Sequence, residues 1–255
     1  MTAPVPPDAT EIAAAIEADG WALVPQVLTP GDVQRASEAL DEVFEQEGPI
    51  APVREWLTEE YRVSYALPIK HPFFLELVAH PPLTAIARSV LGDDCVLAAF
   101  NGLSMVPGGR AQALHADHPE PAPGTCLYLH LVCALDGFDR TNGATRVVPG
   151  THHRAIPAVD ADRWEPRAHQ VDVPAGSALA FDGALLHAGS ANQTDRPRRA
   201  LHVFFCRRWV KPHWDYPAML SDEAAAGLDD EQRDLLGFTS RPARFDRARS
   251  TIQWH

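Results

Sequence analysis

Three side chains that could bind one metal ion stand out in the sequence. His115 and Asp117 are separated by one residue, so on a strand both point to the same face, with Cβ atoms about 6.6 Å apart. His187, far along the chain, offers a third ligand. Two histidines and one carboxylate leave coordination positions open, and this is the facial triad of non-haem iron(II) oxygenases. The residue types and spacing therefore predict a redox metal site.

The triplet must be weighed against chance. With 12 His and 20 Asp in 255 residues, about one His-x-Asp triplet is expected at random, and a second occurs at His213–Asp215. Only His255 follows that second triplet, whereas Asp117 is followed by a strand-rich region that carries His187. The downstream sequence therefore favours the triplet that ends at Asp117.

A candidate anion anchor follows His187 by eleven residues. Arg198 presents a planar fork that matches a carboxylate in two hydrogen bonds, which suits the far carboxylate of 2-oxoglutarate. Arg199 is the natural alternative if the register of this strand differs by one residue. The arginine and the three metal ligands together favour an oxygenase.

Two other function classes remain open. Two histidines, a carboxylate and a water also describe a catalytic zinc site, as in a metal-dependent hydrolase. A barrel that binds a small ligand without catalysis is the other alternative. The hydrolase gives Arg198 no role, and the binding barrel explains neither the ligand spacing nor the arginine.

Length and charge limit the remaining possibilities. A chain of 255 residues can form one domain with a substantial core. The formal charge of −12, without a Lys/Arg cluster, disfavours nucleic acid or an anionic membrane as partner. The N-terminus has no signal-peptide features, and no apolar run is long enough for a membrane span. We expect a cytoplasmic monomer or homodimer that acts on a small molecule.

Helical patterns dominate the first third of the chain. Asp8 is a predicted N-cap of a helix that stops at Gly20, and a short strand follows. Thr29-Pro30 begins a second helix that ends near Gly48. A third helical region, 71–91, is interrupted at Pro81-Pro82. Residues 1–94 are therefore expected to pack on the rest of the domain as a helical part.

From Cys95 onward the apolar period falls to about two, in short runs separated by Gly, Pro and Asp. No helical crossovers separate these runs, so the pattern favours an antiparallel sandwich or barrel. The predicted fold is mainly β with flanking helices, a double-stranded β-helix (jelly-roll, cupin-like) barrel over 95–210, with a tail over 211–255 that contains one polar helix over Leu220–Leu236. The eight predicted strands are Cys95–Val106, Ala111–Asp117, Cys126–Leu135, Ala144–Val148, Gln170–Val173, Ala178–Phe181, Leu185–His187 and Arg199–Val210.

Five segments in the same order give the chain a resemblance to a known family. They are DGWALVPQVLTPGDVQ at 19–34, QALHADH at 112–118, NGATRVVPGTHH at Asn142–His153, HAGSANQTDRPRRAL at 187–201 and LLGFTSRP at Leu235–Pro242. Together they resemble the phytanoyl-CoA dioxygenase-like branch of the iron(II)/2-oxoglutarate oxygenases. The resemblance covers most of the chain.

The resemblance implies roles for particular residues. It makes His115, Asp117 and His187 the ligands of Fe(II), and Arg198 the group that holds the distal carboxylate of the cosubstrate 2-oxoglutarate. Gln112 and Thr145 fall where the family often places further cosubstrate contacts. Simple alternation puts Gln112 on the face opposite His115, so this role requires a local twist or bulge.

The resemblance also implies the reaction class. Such enzymes use O2 to oxidise an unactivated C–H bond and release succinate and CO2. Related halogenases replace the metal-binding carboxylate with a small residue, so Asp117 favours hydroxylation, desaturation, ring closure or epimerisation. A high-GC composition, indicated by 20 Arg against 2 Lys, favours a bacterial natural-product tailoring enzyme. The predicted substrate-covering segments are 49–72, His118–Gly124 and 209–217.

Overall fold

Two antiparallel β-sheets form the centre of the computed structural model, which describes residues 8–48, 60–118, 121–122, 124–240, 244–246 and 248–253. The strands of the larger sheet are β1 (Trp21–Val24), β2 (Tyr61–Ser64), β3 (Val96–Met105), β4 (Tyr128–Ala134), β7 (Ala178–Asp182) and β9 (Arg198–Cys206), in the order β1-β7-β4-β9-β3-β2. The smaller sheet contains β5 (Thr145–Val147), β6 (His169–Gln170) and β8 (His187–Gly189), in the order β6-β5-β8. The predicted jelly-roll fold is confirmed.

Alternation along the central strands separates the two faces of the larger sheet. On β9, Leu201, Val203 and Phe205 pack with the helices, whereas Ala200 packs with residues of the smaller sheet such as Val147. Successive side chains of a strand point to opposite faces, so each central strand contributes to both layers. The interior between the two sheets is therefore lined by the residues that alternate with the helix-facing ones, such as Ala200 on β9.

Four helices of the N-terminal part cover the outer face of the larger sheet. They are α1 (Ala9–Asp19), α2 (Pro30–Glu47), α3 (Pro72–Glu76) and α4 (Pro81–Leu91). Thr29 and Asp32 form a reciprocal capping box at the start of α2, which satisfies two backbone N–H groups that the helix itself cannot. The helix starts, the end at Gly20 and the interruption at Pro81 agree with the sequence predictions. Among the described residues, no helix combines the length and apolarity needed to cross a bilayer.

The C-terminal part differs from its prediction. The single helix expected over Leu220–Leu236 is two short ones, α6 (Asp222–Ala226) and α7 (Asp230–Leu235), and a further short helix, α5 (Tyr216–Met219), precedes them. Ser221 and Asp229 each cap a separate helix start, and Gly227 ends α6, so local caps divide the segment. The predicted irregular end contains a hairpin, β10 (Arg244–Asp246) with β11 (Thr251–Gln253).

A 3-10 helix over Ala158–Arg167 was not predicted. Segment 111–117 was predicted as a strand, but only its His115 makes a ladder contact, an isolated bridge. Residues 49–59 of the predicted substrate-covering segment lie outside the described residues. The single-domain organisation stays a prediction, favoured by one core cluster that extends from Ile12 to Leu236.

Gly20 is a position where only glycine fits. Its φ is +85°, and an added Cβ would lie 2.5 Å from His152 Nδ1 and 2.6 Å from Leu185 Cδ1. At Gly150 φ is +74°, but a Cβ would meet nothing within 4 Å. We expect Gly20→Ala to lower the free energy of unfolding by about 2–4 kcal/mol, and Gly150→Ala by about 1 kcal/mol, because only the first adds a clash to the backbone strain. Denaturant titration measures both, and equal losses would contradict the packing explanation.

Candidate metal centre

An antiparallel bridge joins the two distant segments that carry the predicted metal ligands. His115 N donates to His187 O at 2.9 Å, and His187 N donates to His115 O at 2.8 Å. Residues directly opposite in an antiparallel pair place their side chains on the same face. The two imidazole centroids are accordingly 4.5 Å apart. The bridge therefore brings the two rings together.

Asp117 completes the group. Its Oδ1 is 3.6 Å from His115 Nε2, and its Oδ2 is 3.7 Å from His187 Nε2. One ligand atom from each of the three residues lies within 4.8 Å of the others, close enough to hold one metal ion. The three residues singled out by spacing are therefore brought together.

Backbone carbonyls orient both histidine rings. His115 Nδ1 lies 2.9 Å from Ala113 O, and His187 Nδ1 lies 3.0 Å from Leu185 O. A carbonyl only accepts, so each Nδ1 carries the proton and each Nε2 presents its lone pair toward Asp117. This is the arrangement commonly found behind metal-binding histidines.

The electrostatics of the group favour a neutral imidazole beside an ionised carboxylate. Burial lowers the pKa of His187 to about 4, although the charge of Asp117 opposes this shift. Burial acts to raise the pKa of Asp117, but His187, the adjacent His130 and His115 outweigh it and hold that pKa well below 3.8. Both groups are thus in the ionisation state that a cation requires.

The predicted anion anchor is buried in the same interior. Arg198 is 4% exposed, and its guanidinium carbon lies 4.2 Å from the centre of the Phe138 ring. Nη2 lies 3.8 Å from Met105 Sδ, and Nε is buried without a hydrogen-bond partner. Among the described residues no carboxylate forms an ion pair with this guanidinium, and a buried unpaired cation is costly. Burial lowers the pKa of Arg198 from its ordinary value.

The neighbouring arginine has a different environment. Arg199 donates from Nε to Asp136 and from Nη1 to Asp41. These two carboxylates form ion pairs with Arg199 on the face of β9 opposite to Arg198. The register of β9 therefore directs Arg198, and not Arg199, into the interior.

Gln112, Thr145 and Tyr61 meet at Gly189. Gln112 Oε1 accepts from Gly189 N at 2.8 Å, and Gly189 is the register partner of Thr145. A Cβ on Gly189 would lie 2.5 Å from the Tyr61 hydroxyl. Because segment 111–117 is not a regular strand, strict alternation does not apply, and Gln112 reaches this side.

Tyr61 and His130 are two interior residues that sequence reasoning did not assign to the site. The Tyr61 hydroxyl is buried without a hydrogen-bond partner, and burial raises its pKa. His130 is fully buried, with Nδ1 at 3.1 Å from Asp117 Oδ2. The inward alternation of β4 is the signal that could have identified His130, whereas the sequence around Tyr61 contains no such signal.

Aromatic rings cover the Asp117 side of the centre. His118 stacks on Tyr128 with centroids 3.5 Å apart, and lies 5.3 Å from His213. The Tyr128 hydroxyl donates to Lys211 O at 2.8 Å, which ties the segment after β9 to this cluster. Parts of two segments predicted to cover the substrate, beginning at His118 and spanning 209–217, therefore meet beside the candidate metal ligands.

Histidines with lowered pKa values make the stability of the metal-free protein depend on pH. Burial lowers the pKa of His118 and of His202 to about 3, and that of His187 to about 4, against an ordinary value of 6.5. Between pH 6.5 and 4 the unfolded chain therefore binds more protons than the fold, so the free energy of unfolding falls as pH falls.

We expect His202→Gln to make this decline shallower, because one imidazole with a lowered pKa is removed. The matched control is His169→Gln on the exposed side of β6, which should leave the slope unchanged. Denaturant titrations of the metal-free variants at several pH values between 7 and 4 measure the slope. An unchanged slope in His202→Gln would refute the contribution of this residue.

Comparison with known proteins agrees with this geometry. The chain is 31% identical over 177 residues to the uncharacterised protein Rv1501 of Mycobacterium tuberculosis, covering 67% of this chain and 64% of that protein, slightly less than two thirds of its length. It is 31% identical over 202 residues to dioxygenase trt7 of Aspergillus terreus, covering 73% and 69% of the two chains.

A solved structure has the same fold. The epimerase SnoN, crystallised with Fe3+, alpha ketoglutarate and nogalamycin RO, superposes with a TM-score of 0.70 at 21% identity, covering 87% of this chain and 92% of SnoN. Residues 16–200 match the family described as phytanoyl-CoA dioxygenase (PhyH), and this span contains the three candidate metal ligands and Arg198. The chain belongs to the phytanoyl-CoA dioxygenase family.

Proposed function

We propose that this protein is an Fe(II)/2-oxoglutarate-dependent dioxygenase that oxidises an unactivated C–H bond of a small molecule. The observation that carries the proposal is the convergence of His115, Asp117 and His187, whose ligand atoms lie within 4.8 Å of one another. The iron and alpha ketoglutarate in the SnoN complex support this choice of metal and cosubstrate.

The three converging residues fit a divalent iron ion. Both Nδ1 atoms are engaged by backbone carbonyls, so the two Nε2 lone pairs and the carboxylate are the donors available to a metal. Two imidazoles and one carboxylate leave positions open for a cosubstrate and for O2. In this proposal His115, Asp117 and His187 hold Fe(II).

The buried cation fits the cosubstrate. Arg198 is enclosed by Phe138 and Met105 and has a buried N–H without a partner, which a carboxylate of 2-oxoglutarate would satisfy. The Tyr61 hydroxyl and Thr145 lie beside Gly189, two residues after the ligand His187. We infer that they make further contacts to the cosubstrate.

Gln112 has a more limited role in this proposal. Its side-chain oxygen already accepts from Gly189 N, so only its amide nitrogen remains to meet a carboxylate. The arrangement of Gln112 and Tyr61 also depends on Gly189. A Cβ at this position would lie 2.5 Å from the Tyr61 hydroxyl and 3.1 Å from Gln112 Oε1.

When bound, iron and 2-oxoglutarate supply the oxidising chemistry, in which O2 is consumed, succinate and CO2 are released and a substrate C–H bond is oxidised. The protein orients the reactants and limits water. Arg198 and His187 are 4% and 7% exposed, so the anchor and one ligand are largely sheltered from solvent.

The substrate side is assigned to the aromatic cluster of His118, Tyr128, Phe204 and His213. The His213 ring lies 6.2 Å from Phe204 and 5.3 Å from His118, and this cluster adjoins Asp117. We infer that the segment after β9 and the segment that begins at His118 select the small molecule. Hydroxylation, desaturation, ring closure and epimerisation all remain compatible with a retained Asp117, and natural-product tailoring is supported by relatives such as SnoN from nogalamycin biosynthesis.

The buried arginine also bears on the alternatives. A metal-dependent hydrolase would use the same three ligands but gives the unpaired Arg198 no function. A non-catalytic binding barrel explains neither feature. The oxygenase is the proposal that uses both.

Removal of one metal ligand tests the reaction class. We expect His115→Ala to abolish succinate formation from 2-oxoglutarate in air with added Fe(II), because a ligand is lost. The control His153→Ala alters an exposed histidine and should retain turnover. Succinate is measured by chromatography. Full turnover in His115→Ala, or hydrolysis supported by zinc without oxygen, would reject the proposal.

The paired arginines test the cosubstrate anchor. We expect Arg198→Gln to raise the Kd of 2-oxoglutarate more than about tenfold, because a charge-assisted fork is lost. Arg199→Gln should change it less than about twofold, since Arg199 is committed to Asp136 and Asp41. Calorimetric titration of the metal-loaded protein measures both, and the reverse ranking would show that the other arginine is the anchor.

A further inference from the structure

His130 occupies the position from which a fixed side chain can hold the carboxylate of Asp117. It lies on β4, is fully buried, and its ring centre is 4.0 Å from that of Phe204 and 4.9 Å from that of Phe181. Its Nδ1 is 3.1 Å from Asp117 Oδ2. A buried residue on a central strand and packed by two rings has little freedom to move.

The three candidate ligands differ in how they are held. His115 and His187 are oriented by the backbone carbonyls of Ala113 and Leu185. Asp117 lies outside any strand, with a side chain 35% exposed, and its described contacts at this centre are all to histidines. His130 is the nearest of them and the one that is not itself a candidate ligand.

The surroundings of the two ring nitrogens of His130 favour a proton on Nδ1. Nε2 is buried without a hydrogen-bond partner and faces Gly183, where an added Cβ would lie only 3.1 Å away. A proton on Nδ1 can meet the carboxylate, whereas a proton on Nε2 would stay unpaired and leave two lone pairs opposed at Asp117. Although the separation is 3.1 Å, Nδ1–H does not point directly at Oδ2, so the bond requires a rotation of the partly exposed carboxylate.

We propose that His130 is a positioning residue that donates from Nδ1 to Asp117 Oδ2 and thereby keeps the other carboxylate oxygen available to the metal. This inference rests on the proposed function, since it requires that the centre bind a metal. His130 thus orients Asp117 in the same way that the backbone carbonyls of Ala113 and Leu185 orient His115 and His187. Loss of such partners typically weakens metal binding 10–100-fold.

Metal binding to the metal-free protein tests the proposal without any substrate. We expect His130→Leu to raise the Kd of Co(II), used as an air-stable probe, about 10–100-fold. His130→Asn should bind within a few-fold of the unaltered protein, because its amide N–H can occupy the place of Nδ1, whereas the amide of His130→Gln reaches the place of Nε2 and should not rescue. His202→Leu is the matched control, a second interior histidine on the adjacent β9 without a hydrogen bond to Asp117, and should stay within about twofold.

Two further measurements separate positioning from stability. The melting temperature of each metal-free variant reports any loss of the fold, and the visible spectrum of bound Co(II) reports ligand geometry. In an Asp117→Ala background, His130→Leu should cause no additional loss of affinity, because its effect acts through the carboxylate.

The outcomes are distinguishable. Unchanged Co(II) affinity in His130→Leu, equal behaviour of the Asn and Gln variants, or an equal loss in the Asp117→Ala background would overturn the positioning role. If the unaltered protein bound neither Co(II) nor Fe(II), the proposed function itself would fail.

Discussion

The two backbone hydrogen bonds between His115 and His187 are the constraint on which the candidate site depends. They join an irregular segment to β8, although the two residues are 72 positions apart in the chain. Because the pair is directly opposed, both imidazoles emerge on the same side, and Asp117 follows two residues later. Without this bridge the three ligand atoms would have no common centre.

Both sheets contribute residues around that bridge. The larger sheet provides His130 and Arg198 on the inward faces of β4 and β9, and the helices cover its outer face. The smaller sheet provides Thr145 and Gly189. Since alternate residues of each strand face opposite layers, the same strands build the apolar core and line the site.

The interior differs in polarity between the two ends of β9. At its first residue the buried guanidinium of Arg198 lies over Phe138, and six residues later Phe204 packs against His130 beside Asp117. The two ends of β9 therefore suit different ligands. Arg198, a cation without a carboxylate partner, suits an anion, and the aromatic cluster around Phe204 suits a less polar molecule. An anionic cosubstrate and a less polar small molecule would therefore approach the metal from separate directions.

Much of this could be predicted from the sequence. Caps and apolar periodicity are local properties, so the starts of α1 and α2, the break at Pro81 and most of the antiparallel strands were predicted correctly. The candidate metal ligands were recognisable because their residue types, and the two-residue spacing of His115 and Asp117, can be read directly from the chain. The division of Leu220–Leu236 into two helices, which begin at the caps Ser221 and Asp229, was missed.

Only the tertiary structure decided the rest. Whether Arg198 or Arg199 faces inward depends on the register of β9 against β3 and β4, which neighbouring strands determine. His130 and Tyr61 reach the site through contacts between segments remote in sequence, and no local pattern encodes such contacts. The sequence by itself determined which chemistry the side chains could perform, whereas packing between sheets determined which of them meet.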